Sequence, residues 1–213
     1  MNATAILPVK RFGEAKQRLA AGIEEERRRE LIGAMVADVL EAIGAARTIE
    51  RTIVVTGEPA AEALAADAGA LVIPDTSESG HVDAALAGIA RAQADGAECV
   101  VLLAGDCPLL DPRELDRLLT GVPGTYVGIV PDRHGTGTNA LVLSPPDAIV
   151  PAFGEGSCER HVEAARTADL PFAVEPLPSL GLDLDTPADL IALTRELEGR
   201  RGRAGRTARV LGI

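Results

Sequence analysis

The chain has 213 residues, a formal net charge of −11 and 46% apolar residues, of which few are aromatic. This length fits one large α/β domain, and the negative charge argues against nucleic acid as the main partner, because phosphate backbones attract basic surfaces. The N-terminus is too short and too polar for a signal peptide, and no later apolar run is long enough to span a bilayer. We therefore expect a cytoplasmic protein with no membrane partner.

Apolar runs alternate with amphipathic segments along the chain, which predicts alternating strands and helices. Strands are predicted at 3–9, 51–56, 70–73, 99–104, 126–130, 140–143 and 172–175. Helices are predicted at 24–45, 59–68, 82–94, 112–119, 157–168 and 187–198. This order predicts a single α/β domain over residues 1–198, with a doubly wound, mixed and mostly parallel sheet, helices on both faces and a β-rich insertion.

Residues 199–213 differ from the rest of the chain because they are rich in arginine. We expect them to form a frayed, solvated tail. A weak contact with an acidic partner is the alternative, and the absence of interleaved aromatic residues argues against nucleic acid. The three cysteines, Cys99, Cys107 and Cys158, lack zinc-ligand spacing and form no complete disulfide framework, which predicts buried thiols.

Two short motifs carry carboxylates, Leu-Leu-Ala-Gly-Asp-Cys-Pro at 102–108 and Leu-Asp-Leu-Asp-Thr-Pro at 182–187. We expect both at the carboxyl ends of apolar strands, where open α/β sheets bind ligands. Asp183 and Asp185 alternate with leucines, so in a strand their side chains share one face. Since Asp111 and Thr186 are better helix caps, these two carboxylates and Asp106 are available for another task. Hard oxygen ligands suit Mg²⁺ bound to phosphates, which predicts magnesium on Asp106 and on Asp183 or Asp185.

Four cations, Lys10, Arg11, Lys16 and Arg18, follow the first predicted strand closely. Lysine ammonium groups, arginine forks and backbone N–H groups in such a loop can bind the phosphates of a nucleotide. The loop matches neither the Walker A spacing nor the dinucleotide-binding fingerprint. A charged surface loop is an equally good interpretation of this segment alone.

Two later loops are suited to a small phosphorylated anion. Residues 131–139 are rich in hydroxyl groups, amides and glycine, and residues 153–157 open a helix whose N-terminus can bind phosphate. Arg160 and His161 follow just inside that helix and can add positive charge. A plain turn, and Ser157 as a simple helix cap, are the alternatives. No nucleophilic triad is evident, which fits phosphoryl chemistry in which the substrate supplies its own nucleophile.

Several stretches, taken together, resemble the phospholactate and phosphoenolpyruvate guanylyltransferases of coenzyme F420 biosynthesis. They are Ile-Leu-Pro-Val-Lys-Arg-Phe at 6–12, Gly-Asp-Cys-Pro-Leu at 105–109, Asp-Arg-His-Gly-Thr-Gly-Thr-Asn-Ala-Leu at 132–141, Phe-Gly at 153–154 with Ser157, and the segment 182–190. The matches occur in order and span the chain to about residue 190. The chain departs at Gly-Asp-Cys-Pro, where members often have Ala-Asp-Leu-Pro, and at 81–83, where members tend to have Leu-Asn.

The resemblance implies a GT-A-like nucleotidyltransferase fold and transfer of GMP from GTP to phosphoenolpyruvate or 2-phospho-L-lactate, with release of diphosphate. It implies Mg²⁺ on Asp106 and the Asp183/Asp185 pair. The predicted nucleotide-binding residues are Pro8, Lys10, Lys16 and Arg18. The predicted acceptor-binding residues are Thr138, Asn139, Gly154, Ser157, Arg160 and His161. Asp106, Lys10 and Lys16 are the predicted catalytic residues, and the product can pass to the downstream transferase of the pathway.

Two other functions stay open from the sequence. One is a nucleotidyltransferase of the same fold with another acceptor, such as molybdopterin or a sugar phosphate. The other is a nucleotide-binding module without catalysis. The carboxylates at both motifs argue against it, because binding alone does not require a metal-activated phosphate.

Overall fold

The computed structural model describes residues 3–13, 16, 23–75, 80–199 and 203–213. The strands are β1 (Ala3–Val9), β2 (Ile49–Thr56), β3 (Leu71–Pro74), β4 (Val100–Leu103), β5 (Tyr126–Pro131), β6 (Thr138–Ser144) and β7 (Phe172–Val174). The helices are α1 (Glu25–Ala45), α2 (Pro59–Asp67), α3 (His81–Ala94), α4 (Pro112–Leu119), α5 (Ser157–Thr167), α6 (Pro187–Gly199) and α7 (Gly205–Leu211). Every predicted element is present, with its ends within two residues of the prediction.

All seven strands form one sheet in the order β3-β2-β1-β4-β6-β5-β7. The pairs β1/β2, β1/β4, β2/β3 and β5/β7 are parallel, whereas β6 is antiparallel to both β4 and β5. The predicted mixed, mostly parallel sheet is therefore confirmed. The β-rich segment expected between the two carboxylate motifs is part of this sheet, as β5, β6 and β7.

Aliphatic clusters on the two faces of the sheet form the core. One cluster combines Ala5 and Leu7 of β1 with buried residues of α1, α2, α4 and α6. The other combines Ile6 with buried residues of α3 and α5, so successive residues of β1 serve opposite faces, as strand geometry requires. No helix in the described part of the chain is long and apolar enough to cross a membrane.

Helix α3 approaches β1 closely because a glycine faces the strand. A Cβ added at Gly88 would lie 2.4 Å from Cγ2 of Ile6, which is too close for any side chain. This contact brings the N-terminus of α3, with His81, to the carboxyl end of β1. The fold thus places a helix start beside the loop that carries Lys10.

The expectation of a frayed C-terminal tail is wrong for residues 203–213, which include helix α7 packed on α1. The Asp38 carboxylate of α1 accepts hydrogen bonds from the backbone N–H groups of Arg206 and Thr207, at 3.2 and 2.8 Å. The guanidinium of Arg206 also pairs with Glu41, and that of Arg203 with Asp111. Acidic groups on α1 and at the N-cap of α4 thus hold part of the arginine-rich segment; Arg200 and Arg201 lie outside the described residues.

The cysteines are free thiols in the interior, as predicted. Burial raises the pKa of the Cys99 thiol to about 11. Burial and the nearby Asp106 carboxylate raise the pKa of the Cys107 thiol well above its usual value. Both side chains therefore stay protonated near neutral pH, so Cys107 beside Asp106 acts as an apolar packing residue rather than a thiolate ligand.

Candidate functional site

The predicted site residues that the structure describes lie at one edge of the sheet, where β1 and β4 end and β6 begins. In the β4/β6 pair, Leu103 at the end of β4 is opposite Ala140 near the start of β6. Because the two strands are antiparallel, Thr138 and Asn139 lie at the same edge as Asp106, which follows β4. Parallel strand ends of this kind are where α/β sheets bind ligands.

Three carboxylates meet at this edge. Oxygens of Asp106, Asp183 and Asp185 all lie within 4.8 Å of one another. The expectation that Asp183 and Asp185 lie on a strand is wrong, because residues 182–185 have no regular secondary structure. Leu184 between them is 1% exposed and packs in the core, which directs the flanking carboxylates away from it. The alternation therefore produces the predicted convergence without a strand.

Asp189 holds the segment that carries Asp185, and sequence reasoning missed it. Its Oδ2 accepts hydrogen bonds from the backbone N–H groups of Asp185 and Thr186, at 3.1 and 2.7 Å. In return, Oγ1 of Thr186 accepts from the N–H of Asp189 at 3.3 Å, so the pair forms a capping box at the start of α6. The Thr-Pro-Ala-Asp spacing is the signal that could have revealed it. The guanidinium of Arg133 pairs with the other oxygen of Asp189.

The electrostatics of the cluster favour a cation. Burial, reinforced by the charge of Asp106, raises the pKa of Asp183 to about 6. Asn139 partly compensates, because its Nδ2 donates to Oδ1 of Asp183 at 3.3 Å and to the carbonyl of Leu180 at 2.7 Å. Asn139 was predicted to bind the acceptor; its described hydrogen bonds instead orient a carboxylate of the cluster.

Lys16 is the cation that the structure places among these carboxylates. Its ammonium donates to Asp106 and, at 2.6 Å, to Oδ1 of Asp185. Burial lowers the pKa of Lys16, but the two carboxylates outweigh it and hold the pKa above its usual value. Lys16 is therefore charged, and it connects the loop after β1 to both carboxylate motifs.

The residues fit a divalent cation. Three carboxylate oxygens at this mutual spacing are the hard donors that Mg²⁺ takes, with water and substrate phosphates completing the coordination. The side chain of Asp185 is 51% exposed, so the cluster is open to solvent on that side. Asp106, Asp183 and Asp185 are thus the residues able to hold such an ion.

A cavity of about 140 Å³ lies at the carboxyl end of β1, and its lining includes Pro8, Lys10, Gly57, Asp75 and His81. Gly57 is required there, since an added Cβ would lie 2.5 Å from the carbonyl oxygen of Asp75. Burial and the charge of Lys10 lower the pKa of His81, which is neutral near pH 7. Two of the predicted nucleotide-binding residues, Pro8 and Lys10, line this cavity; Arg18 lies outside the described residues.

A hydroxyl pair marks the second half of the site. Oγ of Ser157, at the start of α5, lies 3.1 Å from Oγ1 of Thr138, at the start of β6. Gly154 has a φ of +108°, a conformation that strongly favours glycine, and its carbonyl accepts from the N–H of Ser157 at 3.0 Å. The structure thus brings together three of the residues predicted to bind the acceptor.

The prediction that His161 contributes positive charge is wrong. Its ring is fully buried, and burial together with Arg160 lowers its pKa to about 4. The guanidinium of Arg160 donates to the carbonyl oxygens of Ala152, Phe153 and Glu155, so it supports the loop before α5. Both residues therefore hold the loop that contains Gly154.

The family model described as guanylyl transferase CofC like matches residues 3–207. A phosphoenolpyruvate guanylyltransferase of Conexibacter woesei is 46% identical over 214 residues, covering 99% of this chain and 96% of the relative. One of Sphaerobacter thermophilus is 38% identical, covering 89% of this chain and 91% of the relative. A 3-phospho-D-glycerate guanylyltransferase of Phenylobacterium zucineum is 37% identical, covering 93% of each chain.

Solved structures share the fold at low sequence identity. A putative nucleotide-diphospho-sugar transferase from Desulfovibrio desulfuricans has a TM-score of 0.79 and 20% identity, covering 99% of this chain and 94% of its own. A nucleotidyl transferase from Methanothermobacter has a TM-score of 0.67 and 19% identity, covering 93% of this chain and 99% of its own. These similarities show that the chain shares the fold of these proteins.

Proposed function

The chain belongs to the family of CofC-like guanylyl transferases, and we propose that it transfers GMP from GTP to phosphoenolpyruvate, with release of diphosphate. Its relatives support phosphoenolpyruvate as the first candidate, because the two most similar of those reported carry that substrate in their names. The resemblance noted from the motifs adds 2-phospho-L-lactate as a second acceptor and coenzyme F420 biosynthesis as the setting.

One observation carries the proposal: two consecutive residues of β6 join the two halves of the site. Nδ2 of Asn139 donates to the Asp183 carboxylate, whereas Oγ1 of Thr138 is 3.1 Å from Oγ of Ser157. Successive residues of a strand point to opposite faces, so the carboxylate cluster and the hydroxyl pair flank one strand end. A nucleotide bound over the carboxylates and an acid bound at the hydroxyls would therefore be neighbours.

The nucleotide side of the site is cationic. Lys10 lines the cavity at the carboxyl end of β1, and Lys16 reaches the carboxylate cluster itself. We assign both ammonium groups to the phosphates of GTP, where they neutralise charge on the β- and γ-phosphates as diphosphate leaves. The cavity that Pro8 and His81 line is assigned to part of the nucleoside.

Mg²⁺, held by Asp106 and by Asp183 or Asp185, would neutralise negative charge on the phosphates and orient them. The chain prepares this position in two ways. Asp189 fixes the backbone at Asp185, and Asn139 orients Asp183. Lys16 contacts two of the three carboxylates and can transfer its hydrogen bonds to phosphate oxygens while staying charged.

The acceptor supplies its own nucleophile. A phosphate monoester is largely ionised near neutral pH, because its second pKa is about 6. One of its oxygens attacks the α-phosphorus of GTP, the bond between the α-phosphorus and the bridging oxygen breaks, and diphosphate leaves. The chain then needs no general base, and its tasks are positioning and charge neutralisation. Thr138, Ser157 and the Gly154 loop hold the acceptor.

The proposal is tested by measuring diphosphate release from GTP and Mg²⁺ with phosphoenolpyruvate, 2-phospho-L-lactate or 3-phospho-D-glycerate offered separately. The third acid is included because one relative is named for it. Release with phosphoenolpyruvate is expected. Release with only one of the other acids would show that this acid, rather than phosphoenolpyruvate, is the acceptor of the same guanylyl transfer. No release with any of the three acids from folded protein would reject the proposal. Cytoplasmic location and hand-over of the product to a downstream transferase also stay proposals.

A further inference from the structure

His161 connects the two segments that form the acceptor half of the site. Its Nε2 accepts a hydrogen bond from the backbone N–H of Ala152 at 2.8 Å, in the loop before α5. Its Nδ1 lies 3.0 Å from Oγ1 of Thr138, at the start of β6. The ring is fully buried, and the Phe153 ring packs against it edge to face at 5.4 Å. The imidazole therefore contacts the hydroxyl pair of Thr138 and Ser157 through Thr138.

These contacts determine which nitrogen of His161 carries hydrogen. A backbone N–H can only donate, so Nε2 must be the unprotonated nitrogen. In a neutral ring the hydrogen is then on Nδ1, which donates to Oγ1 of Thr138. The low pKa of His161, about 4, agrees with a neutral ring at the pH of the reaction. The other tautomer, with hydrogen on Nε2, is excluded because its N–H would point at the backbone N–H of Ala152.

The tautomer fixes the direction of the remaining hydrogen bonds. Thr138 and Ser157 have two hydroxyl hydrogens between them, and their mutual contact of 3.1 Å uses one. Oγ1 of Thr138 accepts the hydrogen bond from Nδ1–H of His161, so the hydroxyl hydrogen of Thr138 is not used in that contact. One hydroxyl hydrogen of the pair thus has no acceptor among the residues that the structure describes. It is available to an anionic oxygen placed beside the two hydroxyls.

We infer that His161 is a positioning residue of the acceptor site, whose Nδ1–H makes Thr138 an acceptor and so directs one hydroxyl of the Thr138/Ser157 pair towards the phosphorylated acid. The inference rests on the proposed function, because it assigns the acid to these hydroxyls. His161 touches no substrate; it acts on the acid through the Thr138 hydroxyl, whereas its contact with Ala152 holds the ring in place. Chemically, the pair would prefer a phosphate or carboxylate oxygen, which accepts and cannot donate.

Two substitutions separate the contacts of His161. In His161→Asn the side-chain amide can reach the position of Nδ1 and donate to Thr138, but it loses the contact with Ala152. In His161→Gln the amide oxygen can reach the position of Nε2 and accept from Ala152, but it loses the donor to Thr138. Steady-state kinetics of diphosphate release would give KM for the acid and KM for GTP in both variants. Thermal unfolding would show that both are folded.

The KM for the acid is expected to rise about tenfold or more in His161→Gln, the size of one hydrogen bond to a charged group. In His161→Asn it is expected to rise much less, and the KM for GTP should stay nearly constant in both. Equal effects of the two substitutions on the acid, or equal effects on acid and GTP, would overturn the inference, since a purely structural role predicts no such difference. If the wild type transfers to no phosphorylated acid, the proposed function fails instead.

A measurement without catalysis decides the tautomer independently. The chain has three histidines, so the imidazole nitrogens of a ¹⁵N-histidine-labelled sample can be assigned by comparison with the His161→Asn variant. The inference predicts a neutral His161 with hydrogen on Nδ1, and a shift of its signals when phosphoenolpyruvate is added without GTP. A ring with hydrogen on Nε2, or a charged ring near neutral pH, would overturn the inference whatever the enzyme transfers.

Discussion

The ammonium of Lys16 lies 2.6 Å from Oδ1 of Asp185, although the two residues are 169 positions apart. The contact joins the loop after β1 to the segment before α6. The same ammonium also contacts Asp106, so one lysine meets both carboxylate motifs. Lys16 thus connects the two segments that supply the carboxylates of the cluster.

Replacing Asp106 by asparagine should reduce turnover about a hundredfold or more, because a preorganised charge at the transferred phosphates is lost. The fold should survive, since the side chain lies outside the hydrophobic core. Diphosphate release gives the rate and circular dichroism monitors the fold. Asp67→Asn, at the exposed end of α2, is the matched control and should keep normal turnover. Near-normal turnover in Asp106→Asn would reject the role of Asp106 in holding the metal.

Replacing Asp189 by alanine should lower the free energy of unfolding by about 1–3 kcal/mol. The substitution removes the capping box and the acceptor for the backbone N–H groups of Asp185 and Thr186. Burial opposes ionisation of Asp189, but hydrogen bonds from Thr186 and Asp185 outweigh it and keep its pKa low. Urea unfolding measures the stability, and the Mg²⁺ concentration for half-maximal activity should rise. Thr186→Ser retains the capping hydroxyl and should change little. An unchanged magnesium requirement in Asp189→Ala would show that Asp189 does not position Asp185.

Replacing Gly154 by alanine should raise the KM for the acid, because a φ of +108° is strained for any residue with a Cβ, by about 1–3 kcal/mol. The loop is then expected to relax and move Ser157. Gly44→Ala is the control, since a Cβ at that helical position meets no atom within 4 Å and should stabilise the protein by up to about 1 kcal/mol. An unaltered KM for the acid in Gly154→Ala would exclude this loop from acceptor binding.

The buried His161 predicts a specific dependence of stability on pH. Its pKa is about 4 in the folded protein against an ordinary value of 6.5, so the unfolded chain binds the proton first as the pH falls. Its contribution is fully present above pH 6.5 and is lost as the pH falls towards 4, at about 1.4 kcal/mol per pH unit inside this window.

This slope is measured by urea unfolding of the wild type and His161→Asn between about pH 5.5 and 7.5. The variant should lose less stability than the wild type on acidification. The exposed His134, replaced by glutamine, controls for removal of an imidazole from the surface. Parallel curves for the wild type and His161→Asn would show that the ring does not titrate as its burial predicts.

The positions of strands and helices could be predicted to within two residues because apolar periodicity is a local property. Helix α7 could not, since it depends on the Asp38 carboxylate, 169 positions away from Thr207, to cap its first N–H groups. The arginines around it predicted a solvated tail, with a weak contact to an acidic partner as the alternative. A long-range charge contact of this kind leaves no periodic signal in the sequence.

The carboxylates and hydroxyls of the site could also be predicted, because Asp106, Asp185 and Ser157 occur in motifs with strong chemical character. The supporting residues could not. His161 was expected to carry charge, and only its burial shows that it is neutral. Asp189 was overlooked although its spacing from Thr186 fits a capping box. Residues that act through others are recognised from contacts rather than from residue type.

The most direct test of the account is to identify the product formed from GTP, Mg²⁺ and phosphoenolpyruvate by ³¹P NMR. Guanylyl transfer predicts free diphosphate together with a new pair of coupled resonances from one unsymmetrical diphosphate that joins GMP to enolpyruvate. Asp106→Asn should form both at a rate about a hundredfold or more lower. Inorganic phosphate and GDP without the new pair would contradict the account, because GTP would then be hydrolysed at its γ-phosphate rather than attacked at the α-phosphorus by the acid.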